Sequence, residues 1–145
     1  MRVAFLGNDE WSVAPLRALV DASDIEVELV VTNPPRPAGR GSQLTATAVA
    51  DEARTLELPL LEVDRIRDGE GFDALDSLEP DAIVVVAYGE ILTPDVLDIP
   101  RLGAVNVHFC DGFAGGELHF DYTMRPGVVP HGNGLALMRA VGLKV

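Results

Sequence analysis

Cysteine is nearly absent from this chain, with one in 145 residues. A single thiol excludes an internal disulfide framework and any cysteine-cluster metal site, and it leads to the expectation of a cytoplasmic protein. Long hydrophobic runs are missing as well. No stretch approaches the roughly 18 apolar residues of a membrane span, and the first residues carry no signal-peptide pattern. Positive charge is scarce: 11 Lys and Arg stand against 23 Asp and Glu, for a formal net charge of −12. That balance excludes nucleic-acid binding over the whole surface, because phosphate contacts need clustered Lys and Arg, so any such contact is local. Repeats and low-complexity tracts are absent. What remains is 48% hydrophobic, the composition of a globular chain of one-domain size.

Two stretches organise the rest. Asp81-Ala-Ile-Val-Val-Val-Ala-Tyr-Gly89 and Gly103-Ala-Val-Asn-Val-His-Phe109 each open as an apolar, β-branched run, the composition of strands buried on both faces of a parallel sheet. Each ends in polar or special residues, and ligands of open parallel sheets bind outside the carboxyl ends of the strands. Asn106 and His108 lie two apart, so on a strand they share a face and can converge on one ligand atom.

Arg2–Gly7 reads as the first strand and Ile25–Thr32 as the second, with a helix between them over Val13, Leu16, Leu19 and Val20 that Ser12 can cap. The turn Gly7-Asn-Asp-Glu-Trp11 has no G-x-G-x-x-G, which argues against a dinucleotide site. Trp11 reads either as a ring that stacks on a ligand or, the preferred reading, as an anchor that packs the helix. Thr45 or Thr47 can cap a helix running to about Glu57 with Val49, Ala50 and Ala53 inward. Leu58–Leu61 follows as a short strand, Phe72, Leu75 and Leu78 mark a short helix, and Pro94 suits a first helical turn. Alternating strands and helices predict an α/β, doubly wound, mostly parallel sheet.

Asn33–Ser42 holds three prolines and two glycines and reads as a long exposed loop without regular structure. No acidic residue lies between Glu28 and Asp51, yet Arg36 and Arg40 do. In so acidic a chain this is either a phosphate-facing patch or a solvated turn with two incidental arginines. After Phe109, residues 110–133 follow neither the helical nor the strand period, and Gly134–Arg139 then reads as a strand again.

A neutral imidazole beside a carboxamide suits acyl or one-carbon transfer. The His can accept or relay the proton of an attacking amine, and the Asn can donate to the developing oxyanion. An isolated His on a strand is also read as a satisfied structural residue. Such a site usually needs a carboxylate to orient the His or take the proton. His119, His131 and Cys110 suggest no metal site and no convincing nucleophile.

The residues quoted so far, together with Arg36-Pro-Ala-Gly-Arg-Gly41, Ile91-Leu92 and Leu97–Leu102, resemble the methionyl-tRNA formyltransferase family nearly continuously from Met1 to Phe109. The resemblance implies a Rossmann-like sheet of the formyltransferase type, incomplete at its C-terminal end. It implies transfer of a formyl group from 10-formyltetrahydrofolate, with no metal, to methionine on initiator tRNA by a monomer. Asn106 would hold the formyl oxygen and His108 would assist proton movement. Ala87, Tyr88, Gly89 and Leu92 would line the folate pocket. Arg36, Pro37, Ala38, Gly39, Arg40 and Gly41 would reach the tRNA acceptor end.

The resemblance also marks departures. The family continues after the His with Ser-Leu-Leu-Pro and then Arg-Trp-Arg-Gly-Ala-Ala, which this chain lacks, and Lys144 follows Gly142-Leu143 where the family has a catalytic Asp. A cation there opposes a protonated His and cannot take the amine proton. The family's C-terminal barrel, which supplies much of the tRNA contact, is not in this sequence. The expectation is a fragment over 1–145 that is family-like over 1–109, atypical over 110–133 and a remnant over 134–145. It would be impaired in activity, weak in tRNA binding and marginal in stability. The genetic code permits codons for Phe113–His119 that, read from the third base of the Phe113 codon, spell Arg-Trp-Arg-Gly-Ala-Ala. Residues 110–133 are therefore expected to be translated out of frame. The alternative is a non-catalytic folate- or nucleotide-binding module derived from a formyltransferase.

Overall fold

The computed structural model describes residues 1–38, 43–107, 110–114 and 117–121. The chain forms two compact units, Met1–Val107 and His108–Val145. In the first, β1 (Arg2–Gly7), β2 (Glu26–Thr32), β5 (Leu60–Glu62), β6 (Ala82–Val86) and β7 (Ala104–Val107) make one sheet in the order β5-β2-β1-β6-β7. All of its pairings are parallel. The order turns at β1, from which the chain winds outward on both sides, so this is the expected doubly wound sheet. Flanking it are α1 (Val13–Asp21), α2 (Ala48–Thr55), α3 (Gly69–Leu78) and the single turn α4 (Pro94–Leu97), with Pro94 in its first turn. Between β2 and α2 lie the two short strands β3 (Arg36–Ala38) and β4 (Gln43–Thr45).

β1 is the middle strand of the five, and its sequence suits that place. From Val3 to Leu6 every residue is fully buried, and alternate side chains enter opposite faces. Ala4 and Leu6 meet Val31, Ile66, Leu75, Ile83, Val85, Tyr88 and Val96 in one core. On the other face Phe5 packs with Leu16, Val27, Val30, Val49, Ala53 and Val86. Thr47 caps α2, its hydroxyl accepting from the amide of Ala50 at 3.0 Å, and Val49, Ala50 and Ala53 face inward as expected. At the amino-terminal edge of the sheet, Asp81 accepts from the amide of Arg2 at 2.8 Å and from the Arg101 guanidinium at 2.9 Å. The backbone bond from Arg2, more than Arg101, holds that carboxyl below its usual range.

Four expectations need correction. Asn33–Ser42 is not wholly irregular: β3 and β4 pair antiparallel, with Pro37 opposite Leu44. A two-stranded ribbon has two edges, and a proline whose missing N–H faces outward leaves its ladder intact. Ser12 does not cap α1 with its side chain; its hydroxyl donates instead to the carbonyl of Val86 at 2.7 Å. Trp11, expected as a packing anchor, is not buried but 63% exposed. Finally, β7 is not buried on both faces. Among the described residues it has one neighbouring strand where β1 and β6 have two, and Ala104, Val105 and Asn106 are all exposed.

In the second unit the described backbone is β8 (Cys110–Ala114) paired antiparallel with β9 (Glu117–Asp121). The expectation of no period there is corrected to this extent. In sequence, Gly115-Gly116 separates the two runs, a two-residue hairpin signal that does not depend on alternating apolar residues. The Gly134–Arg139 strand lies outside the described residues.

Candidate functional site

The carboxyl ends of β1, β2 and β6 are tied together by one side chain. Asn8, the residue after β1, donates to Asn33 Oδ1 at 3.1 Å and to the carbonyl of Tyr88. Its own Oδ1 accepts from Thr32 Oγ1 at 2.9 Å and from the Asn33 amide at 2.8 Å. Asn33 Nδ2 in turn donates to the carbonyl of Val63 at 3.2 Å. With the Thr32 proton committed to Asn8, the 2.7 Å contact between Thr32 and Thr47 hydroxyls has Thr47 as donor. The floor at this end of the sheet is thus polar and internally hydrogen-bonded.

Above that floor is a cavity of about 400 Å³ lined by Asn8, Asn33, Arg36, Asp64, Arg65, Arg67 and the run Ala87–Glu90. The backbone turns sharply there. Ala87 has φ 45° and Gly89 φ 83°, and a non-glycine residue in the left-handed region stores strain of the kind concentrated at ligand sites. Arg36 approaches Asp64 at 3.5 Å and Arg67 approaches Glu90 at 3.6 Å. Arg65 joins no ion pair among the described residues. Three guanidinium groups against two carboxylates leave the cavity with surplus positive charge, in a chain of net charge −12.

Two buried polar atoms at the cavity have no hydrogen-bond partner among the described residues, Tyr88 Oη and Glu90 Oε1. The other Glu90 oxygen accepts from the Ile66 amide at 2.9 Å. Burial, and after it the charge of Glu90, pushes the Tyr88 hydroxyl far above its ordinary pKa. Because that hydroxyl is desolvated with no partner among the described residues, Tyr88→Phe is expected to stabilise the chain by about 1–2 kcal/mol. Thermal unfolding followed by circular dichroism checks it, and a lowered midpoint would show that the hydroxyl is bonded after all.

Of the residues singled out from sequence, Ala87, Tyr88, Gly89 and Arg36 line this one cavity. Leu92 does not; it packs against the core around Tyr88. Pro37 and the backbone of Ala38 lie in β3, while Gly39, Arg40 and Gly41 lie outside the described residues. Asn106 stands on β7 level with Val85 of β6, exposed, near the carboxyl end of the sheet. His108 lies outside the described residues, and so does Lys144. Sequence reasoning missed Asn8, Asn33, Asp64, Arg65, Arg67 and Glu90. The signal for two of them was present: the rule about strand carboxyl ends, applied to the two organising stretches alone, also points to the residues after β1 and β2. Among the described residues no three His, Cys, Asp or Glu side chains gather as metal ligands. No described helix is long and apolar enough to cross a membrane.

A doubly wound parallel sheet with a polar, cationic cavity at the carboxyl ends of its strands defines a ligand-binding α/β domain. Residues 1–110 match the formyl transferase family, and the chain belongs to it. It is similar to the methionyl-tRNA formyltransferase of Synechococcus elongatus, 45% identical over 109 residues, which are 74% of this chain and 33% of that protein. It is likewise similar to that of Roseiflexus castenholzii, 49% identical over 108 residues, 74% of this chain and 34% of that one. The chain therefore spans about a third of the length of the curated relatives it matches. Among solved structures, the fold is like that of phosphoribosylglycinamide formyltransferase from Bacillus halodurans. The TM-score is 0.55 at 20% identity, covering 75% of this chain and 56% of that one.

Proposed function

We propose that this chain transfers a formyl group from 10-formyltetrahydrofolate to the amino group of methionine on initiator tRNA, in the cytoplasm and as a monomer. The observation that carries the reading is the match of residues 1–110 to the formyl transferase family. The methionyl-tRNA formyltransferases at 45% and 49% identity support the choice of acceptor.

The residues present fit the donor. Folate is a flat ring system with carboxylates at the end far from its formyl group. A cavity of about 400 Å³ with the turn Ala87–Gly89 on one wall and Arg65, which joins no ion pair among the described residues, on another suits such a molecule. Bound there, the donor supplies a formyl group carried on nitrogen. Asn106 donates from its carboxamide to the formyl oxygen and stabilises the negative charge that grows there as the amine attacks. His108 takes or relays the proton lost by that amine. Arg36–Gly41 contacts the acceptor end of the tRNA, with Arg36 and Arg40 as the phosphate-facing cations. Leu92 supports the folate wall from the core side, behind Tyr88.

Turnover is low in this reading, because Lys144 follows Gly142-Leu143 where the family has its carboxylate and because 110–133 departs from the family. The domain is read as a fragment over 1–145, family-like over 1–109. A second reading, a non-catalytic folate- or nucleotide-binding module, is favoured by one observation: the cavity is built entirely from residues of the Met1–Val107 unit.

One experiment separates them. The chain is mixed in excess with 10-formyltetrahydrofolate and methionyl initiator tRNA for a single turnover, and equilibrium binding of the folate is measured alongside. Slow formation of formylmethionyl-tRNA is expected, with folate affinity lowered roughly three- to tenfold by Arg65→Gln, the worth of one partly exposed charge contact. Saturable folate binding with no transfer would establish the module instead. Neither binding nor transfer would overturn both.

A further inference from the structure

From Val86 to Glu90 every second residue is tied down, and the residues between are exposed. The Val86 carbonyl accepts from the buried Ser12 hydroxyl at 2.7 Å. Gly7 makes room for that serine: a Cβ there would stand 2.9 Å from Ser12 Cβ, from Ser12 Oγ and from the Phe5 ring. The Tyr88 carbonyl accepts from Asn8 Nδ2, and the Tyr88 side chain lies in the core. Glu90 accepts from the Ile66 amide at 2.9 Å. Ala87 and Gly89, the residues between, both have positive φ. A Cβ built on Gly89 would meet no atom of the described residues within 4 Å. The wall that this turn gives the cavity is therefore largely bare backbone with open space before it.

Of the three residues that donate to the turn, Asn8 also lines the cavity. Its carboxamide is used to capacity. Nδ2 donates to the Tyr88 carbonyl and to Asn33 Oδ1, while Oδ1 accepts from Thr32 Oγ1 and from the Asn33 amide. Two donors and two acceptor sites are all that a carboxamide has. With the oxygen held by Thr32 and Asn33, the nitrogen is left to serve Tyr88. An aspartate of the same shape could make neither donated bond, and its charge would stand against two carbonyl oxygens. Ala87 precedes the carbonyl that Asn8 holds, and its left-handed backbone is a conformation that persists only where the surroundings over-determine it.

We propose that Asn8 is a positioning residue: through the Tyr88 carbonyl it holds the exposed turn Ala87–Gly89 in the shape that the cavity's ligand meets. This rests on the proposed function only for the identity of that ligand. The test follows the Gly89 amide resonance of the 15N-labelled chain by NMR, first alone and then with 10-formylfolate, the oxidised and more stable form of the donor. In Asn8→Asp the introduced carboxyl is expected to titrate above the ordinary range, because its charged form faces two oxygens. The Gly89 resonance should differ from wild type at about pH 8 and return toward it at about pH 5, where a protonated carboxyl again donates. The other ionisable groups lining the cavity are Arg36, Asp64, Arg65, Arg67, Tyr88 and Glu90, and Asp9 adjoins Asn8 along the chain. The wild-type titration carries their effect. Thr32→Val removes a hydrogen bond from the opposite end of the same carboxamide and should leave Gly89 in place. At the higher pH, Asn8→Asp is expected to bind 10-formylfolate roughly 5- to 150-fold more weakly, the range for one buried carbonyl left without its donor. Asn8→Ser introduces no charge and should show the loss at both pH values, which keeps the test sound if the charged variant unfolds. A Gly89 resonance that Asn8→Asp leaves unmoved, or that Thr32→Val moves as far, overturns the proposal. So does an unchanged affinity beside a lowered unfolding midpoint, which makes Asn8 a structural residue only. A Gly89 resonance that moves as expected in a chain on which 10-formylfolate has no effect overturns the folate reading and leaves Asn8 its role.

Discussion

Asn106→Ala is expected to lower the single-turnover rate of formyl transfer by a factor of about 10² to 10³, with the fold untouched. The size follows from its proposed role. Removing one preorganised donor from a developing oxyanion costs about 2.7–4 kcal/mol of transition-state stabilisation, since the donor acts where charge appears and not on the resting substrate. The fold is spared because Asn106 is exposed on β7, and surface truncations of this kind change stability by about 0.5 kcal/mol or less. The two readouts must diverge. A rate loss under about fivefold with unchanged unfolding would remove Asn106 from the chemistry. A rate loss matched by a lower unfolding midpoint would make it a structural residue of β7.

Phe5→Ala has the opposite signature. The side chain is fully buried in the central strand and packs on Leu16, Val30, Val49 and Val86. Truncating a buried Phe costs about 3–5 kcal/mol, the lost transfer free energy plus the cavity left behind. Domains of this size hold about 5–15 kcal/mol in all, so a large share of the stability goes. For a domain of about 100 residues the midpoint should fall by more than about 12 °C. Chemical denaturation gives the free energy directly, read as a lower denaturant midpoint with unchanged slope. A loss below about 1.5 kcal/mol would mean that Leu16 and Val49 collapse into the space and that β1 is less constrained than its neighbours suggest.

Where a residue's fate depends on its immediate neighbours along the chain, the sequence was a good guide. The fully buried run Val3–Leu6, the apolar β6 and the inward face of α2 all follow from apolar content and period alone. β7 shows where this fails. Ala104-Val-Asn-Val107 carries the same kind of pattern as β6, yet the number of strands beside it depends on the whole topology, which no local pattern encodes. Trp11 failed for a related reason. Its apolar bulk argued for burial, but the short turn on which it sits is fixed by Gly7, Asp9 and Ser12, and that turn points it outward. At the site, Ala87, Tyr88 and Gly89 were legible because they end an obvious strand. Arg65, Arg67 and Glu90 come from irregular segments, and only the packing of α3 and β6 against β1 draws them to one cavity.

The place of β1 also governs how the molecule comes into being. β1 leaves the ribosome before either of its neighbours, and β2 follows soon after. The other neighbour of β1 is β6, and Arg2 and Asp81, hydrogen-bonded at the start of the two strands, are 79 positions apart. At about 5–20 residues per second of synthesis, the central strand waits roughly 4–16 s with one flank open. During that interval Val3, Phe5 and Leu6 are exposed to whatever else is nearby. A nascent chain of this topology is therefore a client for chaperones long before it is a ligand-binding protein, and slowing translation ahead of β6 should lower its soluble yield.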